Sequence, residues 1–359
     1  MNNKKERVVV AMSGGVDSSV AAALMVQEGY EVIGITLQLY NYNQTKSPSR
    51  TCCAGQDIYD AKKVADKLNI PHYVLNYEDR FKSEVIDDFK KSYISGITPI
   101  PCVRCNERIK FRDLLQTARN LGAKSLVTGH YVRQLQSGSG LELHRASDKD
   151  KDQSYFLFST TFEQLRYLTF PLGSFSKNET RSIASKHGLA IAGKPDSQDI
   201  CFVPDGDYAS TLELLQPNAG EPGNITLEDG TVVGTHKGVI RYTVGQRKGL
   251  QVPWEEPLYV IKLDPGRKKV IVGPRSSLRK TSALLENVNW LDPSAGEKEE
   301  LHLSVKVRSS SPGVPAKIRP RQRKRAEILF EKSPGAVAPG QAAVFYRGTR
   351  LIGGGWICK

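Results

Sequence analysis

No stretch of this sequence approaches the roughly 20 consecutive apolar residues needed to cross a bilayer. The opening residues, MNNKKER, carry no apolar core of the kind a secretory signal needs. A cytoplasmic location with no membrane partner is the expectation. Cysteine is sparse: six residues, Cys52, Cys53, Cys102, Cys105, Cys201 and Cys358. In a reducing compartment such cysteines serve catalysis, metal binding or packing rather than structural disulfides. Acidic residues fall short of basic ones, 38 against 51, leaving a net charge of +13. That surplus favours a polyanionic partner, with nucleic acid ahead of a generally basic surface. No internal repeat is evident. At 359 residues the chain is long enough for two or three domains with their own cores.

The chain is organised around Arg7 to Val20, RVVVAMSGGVDSSV. Val8, Val9 and Val10 form a β-branched run that predicts a buried strand. Ser13, Gly14 and Gly15 break it, and an Ala- and Leu-rich helix follows until Gly29. Strand, glycine loop and helix make an anion holder. Glycine lets the backbone approach closely, its N–H groups face the ligand, and the helix adds the positive end of its dipole. Ser13, Ser18 and Ser19 offer hydroxyls. Asp17 repels phosphate, so its place is to order the loop or to help hold Mg²⁺. The loop is not a Walker A motif, because no Lys-Ser or Lys-Thr follows the glycines. The Walker-like string GLAIAGKP at 188–195 fails too, since Pro195 replaces the hydroxyl and a helix precedes it.

Glu31 to Leu39 reads as a second strand and 41–50 as a loop. Helices over Ile58–Leu68, Arg80–Tyr93 and Phe111–Asn120 alternate with strands over His72–Leu75 and Ser125–Thr128. This alternation predicts a doubly wound parallel sheet, with ligands at the carboxyl ends of its strands. Gly129 and His130 fall at such an end. SGSG at 137–140 reads as a hairpin turn, and DKDQSYFL at 150 and beyond as a charged turn running into aromatics. After a short helix at Asp207–Leu215 the pattern turns to strands, all β from about Ser282. YTVGQRKGL (242–250) suits a contact to a phosphate backbone. KIRPRQRKR (317–325) is either a solvated hairpin tip or a phosphate contact.

The cysteines fall in two informative segments. In TPIPCVRCNERIKF the prolines hold off a helix until Cys102-x-x-Cys105 enters a basic one. A cysteine near a helix start with Arg104 and Arg108 around it is expected to shift toward thiolate. In KPDSQDICFVP, Cys201 sits in a Pro-bounded segment with Asp196 and Asp199 nearby. Cysteines on two loops suit persulfide chemistry, in which one thiol carries sulfur and another resolves it. The alternatives are zinc or an iron–sulfur cluster on the CxxC pair with Cys52, Cys53 or Cys201, with Cys102, Cys105 and Cys201 as the trio that suits a cluster. Cys52, Cys53 and Cys358 read as structural.

SGGVDSS resembles the PP-loop of ATP pyrophosphatases. Together with TCC (51–53), TGHY (128–131), DKDQSYFL, DSQDICFV (196–203), GTHKGVIRYTVGQRKGL (234–250), PGQAAVFY (339–346) and GGGWIC, it resembles the tRNA-specific 2-thiouridylase family over essentially the whole chain. The resemblance implies an N-terminal PP-loop domain at 1–207, a small β-rich central domain at 208–281 and a C-terminal β-barrel at 282–359. It implies ATP, with Mg²⁺, bound by Ala11, Met12, Ser13, Gly14, Gly15, Val16, Asp17 and Ser18, with Leu37 and Gly129 lining the adenosine pocket. It implies adenylation of the 2-carbonyl oxygen of the wobble uridine in tRNAs for Lys, Glu and Gln. Cys201 would take persulfide sulfur from a donor protein, and Cys105 would release it by forming a disulfide with Cys201. The base must leave the anticodon stack to react. His130, Lys151, Asp152, Gln153, Arg308, Ser309 and Gln341 correspond to tRNA contacts, and no resident metal ligand is implied. Two positions depart from the family pattern. Cys102 stands where an Asp usually precedes the first catalytic cysteine, which keeps the cluster alternative open. Ser309 stands where a Tyr is usual. Other readings are a PP-loop ligase, which leaves the cysteines without a task, and a non-catalytic RNA binder.

Overall fold

The computed structural model describes residues 5–40, 54–138, 140–196, 199–203, 206–217 and 219–358. Cys52 and Cys53, with the TCC motif, lie outside them. The chain forms two compact units. The first comprises 1–85, 102–205 and 349–351; the second comprises 86–101, 206–348 and 352–359.

The first unit is built on a five-stranded sheet. Its strands are β1 (Arg7–Ala11), β2 (Glu31–Gln38), β3 (His72–Asn76), β4 (Ser125–Val127) and β7 (Leu168–Thr169). They lie in the order β3-β2-β1-β4-β7 and all pair parallel. Val8, Val9 and Val10 of the central β1 are fully buried, as a strand covered on both faces requires. Helix α1 (Val16–Gln27) leaves β1 through the glycine loop. Its Ala21, Ala22 and Ala23 are inaccessible to solvent, and their small side chains let it sit deep in the core. Helix α2 (Ala54–Leu68) follows β2. A hairpin of β5 (Val132–Ser137) and β6 (Gly140–Arg145) turns at Ser137–Gly140, as the SGSG string predicts.

A continuous helical run covers Pro101–Asn120 and is π-helical from Cys105 to Leu114. The basic helix predicted from the Cys102-x-x-Cys105 segment thus starts one residue before Cys102 and runs without a break into the helix predicted over Phe111–Asn120. Pro101 opens it. Proline is well tolerated in the first turn, where its missing N–H costs nothing. Wide π-helical turns recur at functional sites.

The second unit holds two β cores. β8 (Gly223–Thr226), β9 (Val232–His236), β10 (Tyr259–Asp264) and β11 (Lys269–Gly273) form a sheet ordered β10-β11-β8-β9. Ile225, Val260, Val270 and Val272 fill its interior. The remaining strands are β12 (Ser282–Trp290), β13 (Leu301–Lys306), β14 (Val314–Arg321), β15 (Arg325–Phe330), β16 (Ala342–Arg347) and β17 (Arg350–Ile357). They run in the order β12-β15-β14-β13-β16-β17, and β12 pairs with β17 to close a six-stranded barrel. Alternate residues of β13, β14 and β15 point inward, and Val305, Ile318, Ile328 and Phe345 are fully buried. Closure leaves these strands no open edge for another chain to pair with. Among the described residues no helix is long and apolar enough to span a membrane.

Candidate active site

The glycine loop joins the carboxyl end of β1 to the first turn of α1. Met12 prolongs the β1–β2 pairing, its N–H donating to Ile35 O and its carbonyl accepting from the Thr36 hydroxyl. Gly14 then takes a left-handed φ of +76°, where a side chain would be strained. A Cβ there would also lie 2.1 Å from the Asp57 carbonyl oxygen. Gly15 caps α1 without a side-chain hydrogen bond, so the first-turn N–H groups have no capping partner from it. Ser18 and Ser19 are buried. The Ser18 hydroxyl accepts from the Ser13 N–H at 3.1 Å, and the Ser19 hydroxyl donates to the Gly15 carbonyl at 2.8 Å. These hydroxyls therefore shape the loop, and Ser13 is the exposed one. Gly129 packs against the start of α1: a Cβ on it would meet Asp17 C and Ser18 N, each at 2.8 Å. Leu37, near the end of β2, is half-buried.

Asp17 is held in place by two partners. Its Oδ1 accepts from the Tyr131 hydroxyl at 2.8 Å and from Lys177 Nζ at 2.7 Å. Lys177 lies in the first turn of the helix Lys177–Lys186, which a Ser176–Glu179 capping box fixes. The same ammonium reaches Asp196 at 2.8 Å. Asp196 also meets Lys151 at 2.8 Å and Arg181 at 3.0 Å. Burial works to raise the Asp196 pKa, but hydrogen bonds and charges from Lys151 and Lys177 outweigh it and hold the carboxyl at about 2. The loop, the 150–153 turn and the start of the Cys201 segment thus share one chain of ion pairs.

The thiols differ from expectation. Burial, opposed only weakly by Lys110, pushes the Cys105 thiol up. The protein packed around Cys102, together with Cys105 beside it, pushes that thiol up to about 11, although Cys102 keeps contact with solvent. The predicted shift toward thiolate is therefore corrected. Arg104 is committed to Glu107 at 3.1 Å and Arg108 to the Glu84 carbonyl oxygen at 2.8 Å, so neither guanidinium is left to stabilise a thiolate. Burial then decides the direction. Cys201 is exposed, while the neighbouring Phe202 and Val203 are buried. Phe202 packs edge-on against Phe81 with ring centres 5.7 Å apart. Asp199, two residues before Cys201, acts on the Cys102 thiol electrostatically, so the two cysteine segments lie within reach of each other's charges. Among the described residues no group of three His, Cys, Asp or Glu side chains is arranged to hold a metal.

His130 lies 2.8 Å from the Thr128 hydroxyl through Nδ1, edge-on to Phe111 and Phe170. Burial, aided by Lys110, lowers its pKa to about 3, so it is neutral at physiological pH. Asp152 and Gln153 are turned inward. The Asp152 carboxylate accepts from the Ala146 and Ser154 N–H groups, and Gln153 Oε1 accepts from the Tyr131 N–H. In the second unit, Arg308 donates to the Val244 carbonyl at 2.8 Å, Gln341 donates to the Thr98 carbonyl at 3.1 Å, and Ser309 is exposed. Lys177, Tyr131 and Lys194 escaped the sequence reading as site residues. For Lys177 the signal was available, since the S-x-x-E capping box at Ser176 places it in a helix's first turn.

A parallel sheet whose central strand opens through SGGVDSS into a helix defines a PP-loop nucleotide-binding protein. The family model described as "tRNA methyl transferase HUP domain" matches 6–205, the PRC-barrel model of the same family matches 213–274, and an "Aminomethyltransferase beta-barrel domain" matches 280–357. A "tRNA-specific 2-thiouridylase MnmA" of Rickettsia bellii (strain OSU 85-389) is 55% identical over 100% of this chain and 98% of its own. One of Rickettsia felis is 53% identical over the same shares. The chain belongs to the tRNA-specific 2-thiouridylase family. Among solved structures, a 4-thiouridine synthetase–RNA complex with bound ATP aligns with a TM-score of 0.37 at 20% identity. That alignment covers 55% of this chain and 45% of the other, which is too remote to inform function.

Proposed function

We propose that this protein catalyses ATP-dependent 2-thiolation of the wobble uridine of tRNA, in tRNAs for Lys, Glu and Gln. The observation that carries the reading is one compact unit holding both a PP-loop helix without a side-chain cap and two cysteine segments close enough to interact electrostatically. Residues 1–207 would do the chemistry, while 208–281 and 282–359 would hold the tRNA. A methyl transfer, which the family model's description names, needs neither a PP-loop nor paired thiols.

ATP binds with its phosphates against the loop from Ala11 to Ser18 and its adenosine between Leu37 and Gly129. Mg²⁺, when bound with ATP, would be held by Asp17 as the loop's carboxylate and would offset the charge of the phosphates. The uridine 2-oxygen attacks the α-phosphorus and pyrophosphate leaves. This turns a poor leaving oxygen into AMP. Cys201, exposed and accessible to a donor protein, carries a persulfide. Its terminal sulfur attacks C2, Cys105 attacks the Cys201 sulfur, and the S–S bond to the transferred atom breaks as AMP departs. The two thiols are oxidised to a disulfide and the sulfur is reduced to the thiocarbonyl level. Cys105 must lose its proton first, and its burial keeps it protonated until the site reorganises around tRNA. Neutral His130 is suited to a base edge rather than to a phosphate, with Lys151, Arg308, Ser309 and Gln341 as further tRNA contacts. The enzyme would act in the cytoplasm, where tRNA is found.

The second reading is a cluster-dependent thiolase with Cys102, Cys105 and Cys201 as ligands. Behind it stands the electrostatic effect of Cys105 on Cys102, although the described residues bring no three such ligands together. Iron content and visible absorbance of protein purified without oxygen separate the two. Thiolation by iron-free protein supports the persulfide route, and activity that tracks iron replaces it.

A further inference from the structure

Lys194 has no part in the scheme above, yet its ammonium is the most heavily committed cation at the loop. It donates to the Gly14 carbonyl oxygen at 3.0 Å, to Asp57 Oδ1 at 2.8 Å and to Asp60 Oδ2 at 2.6 Å. It comes from the stretch after the helix Lys177–Lys186, while both carboxylates sit on α2. The three-way contact therefore ties together segments more than 130 residues apart in sequence.

The Gly14 carbonyl belongs to the peptide that links Gly14 to Gly15. That peptide is planar and trans, so its C=O and N–H point in opposite directions. Pinning the oxygen to Lys194 turns the Gly15 N–H away from Lys194 and fixes its direction. With φ of +76°, Gly14 has wide backbone freedom, and the loop's own Ser18 and Ser19 hydroxyls hold the Ser13 N–H and the Gly15 carbonyl while the Gly14 carbonyl is held by Lys194. The second effect is electrostatic. Asp57 and Asp60 lie beside a loop that receives a polyphosphate, and their charges oppose it unless neutralised locally. Burial works against the Lys194 charge, but its bonds to Asp57 and Asp60 more than compensate and raise its pKa, so the cation persists.

We propose that Lys194 is a positioning residue for nucleotide binding: it holds the Gly14–Gly15 peptide in the orientation that presents the Gly15 N–H to phosphate, and it screens Asp57 and Asp60 from that phosphate. The proposal rests on the ATP-binding reading given above. It assigns Lys194 no contact with substrate.

The test compares the wild-type full chain with Lys194→Met and with the triple variant Lys194→Met, Asp57→Asn, Asp60→Asn. The triple variant removes the charges that an uncompensated Lys194→Met would leave half-buried, so it remains informative should the single variant fail to fold. MgATP is titrated calorimetrically without tRNA. Hydrogen exchange of the peptide covering residues 12–18 is followed in nucleotide-free protein. A lost charged hydrogen bond predicts that MgATP binds the triple variant roughly tenfold more weakly than wild type. Lys194→Met should be weaker still. Under saturating ATP the triple variant should recover wild-type turnover, a KM effect that general destabilisation does not mimic. Exchange across 12–18 should be faster in both variants. Wild-type ATP affinity with wild-type exchange in the triple variant overturns the proposal. If exchange rises in the variants but the wild type itself binds no MgATP, Lys194 still holds the loop and the ATP reading is what fails.

Discussion

The Tyr131 hydroxyl and Asp17 Oδ1 are 2.8 Å apart, with Lys177 Nζ closing on the same oxygen at 2.7 Å. One oxygen of a carboxylate in an anion-binding loop is thereby compensated by a phenol and an ammonium. Tyr131 is almost wholly buried, and burial together with Asp17 raises its pKa, so it stays a donor. Tyr131→Phe removes that donor without opening a cavity. It should cost about 1 kcal/mol in urea unfolding, and it should raise the KM for ATP with less effect on kcat. Lys177→Met should be worse on both counts, because it also strips a cation from Asp196.

Two titrations contribute to the acid limb of stability in separable windows. The folded Asp196 carboxyl is depressed to about 2. Its ion pairs therefore stabilise the fold above the ordinary carboxylate pKa, and that contribution disappears as pH falls toward 2. His130 is depressed from 6.5 to about 3. Below 6.5 the unfolded chain takes up a proton there that the folded chain refuses, so stability drops as pH falls from 6.5 toward 3. His130→Gln should flatten the stability-versus-pH curve in that window, and Asp196→Asn should flatten it nearer pH 3. Urea unfolding at a series of pH values reads both.

Thiol reactivity should follow exposure and burial rather than the basic composition of the Cys102–Arg112 helix. Iodoacetamide followed by peptide mass spectrometry should label Cys201 first at neutral pH. Cys102 should label appreciably only as pH approaches about 11, and Cys105 last. Equal labelling of Cys105 and Cys201 at pH 7 contradicts the protonated, buried resting thiol.

The tip between β14 and β15 carries Arg323 and Lys324, both exposed and both in left-handed conformation. Lower on the hairpin, Arg319 and Arg321 are already paired with Glu300 and Glu327. Of this basic run, the tip residues are therefore best placed for phosphate. Arg323→Gln and Lys324→Gln should each lower the salt slope of tRNA binding by about 1, with thiolation at saturating tRNA preserved.

The β1–loop–α1 unit was legible because its causes are local: a β-branched run, two glycines, then alanines. The barrel strands were legible from the two-residue alternation of LHLSVK and AEILFE. What the sequence could not show was where distant charges go. Arg108 is spent on Glu84, 24 positions away, and burial of Cys102 and Cys105 sets their thiols opposite to the expected thiolate shift. Arg104, by contrast, pairs with Glu107 one turn on, a partner that helical spacing offered in advance. Lys194 was read only as the failed end of a Walker-like string. Its place at the loop depends on Asp57 and Asp60, 137 and 134 positions earlier. The prolines before Cys102 marked the helix start to within one residue, because proline closes off what precedes it and is tolerated in a helix's first turn.

The most direct measurement is single-turnover thiolation of unmodified tRNA with ATP and a persulfide donor, using wild type, Cys105→Ser, Cys201→Ser and Cys102→Ser, with iron assayed in each. The account predicts 2-thiouridine and AMP from iron-free wild type and from Cys102→Ser, and none from Cys105→Ser or Cys201→Ser. Loss of activity in all three variants together with bound iron, or AMP release without thiouridine in the wild type, contradicts it.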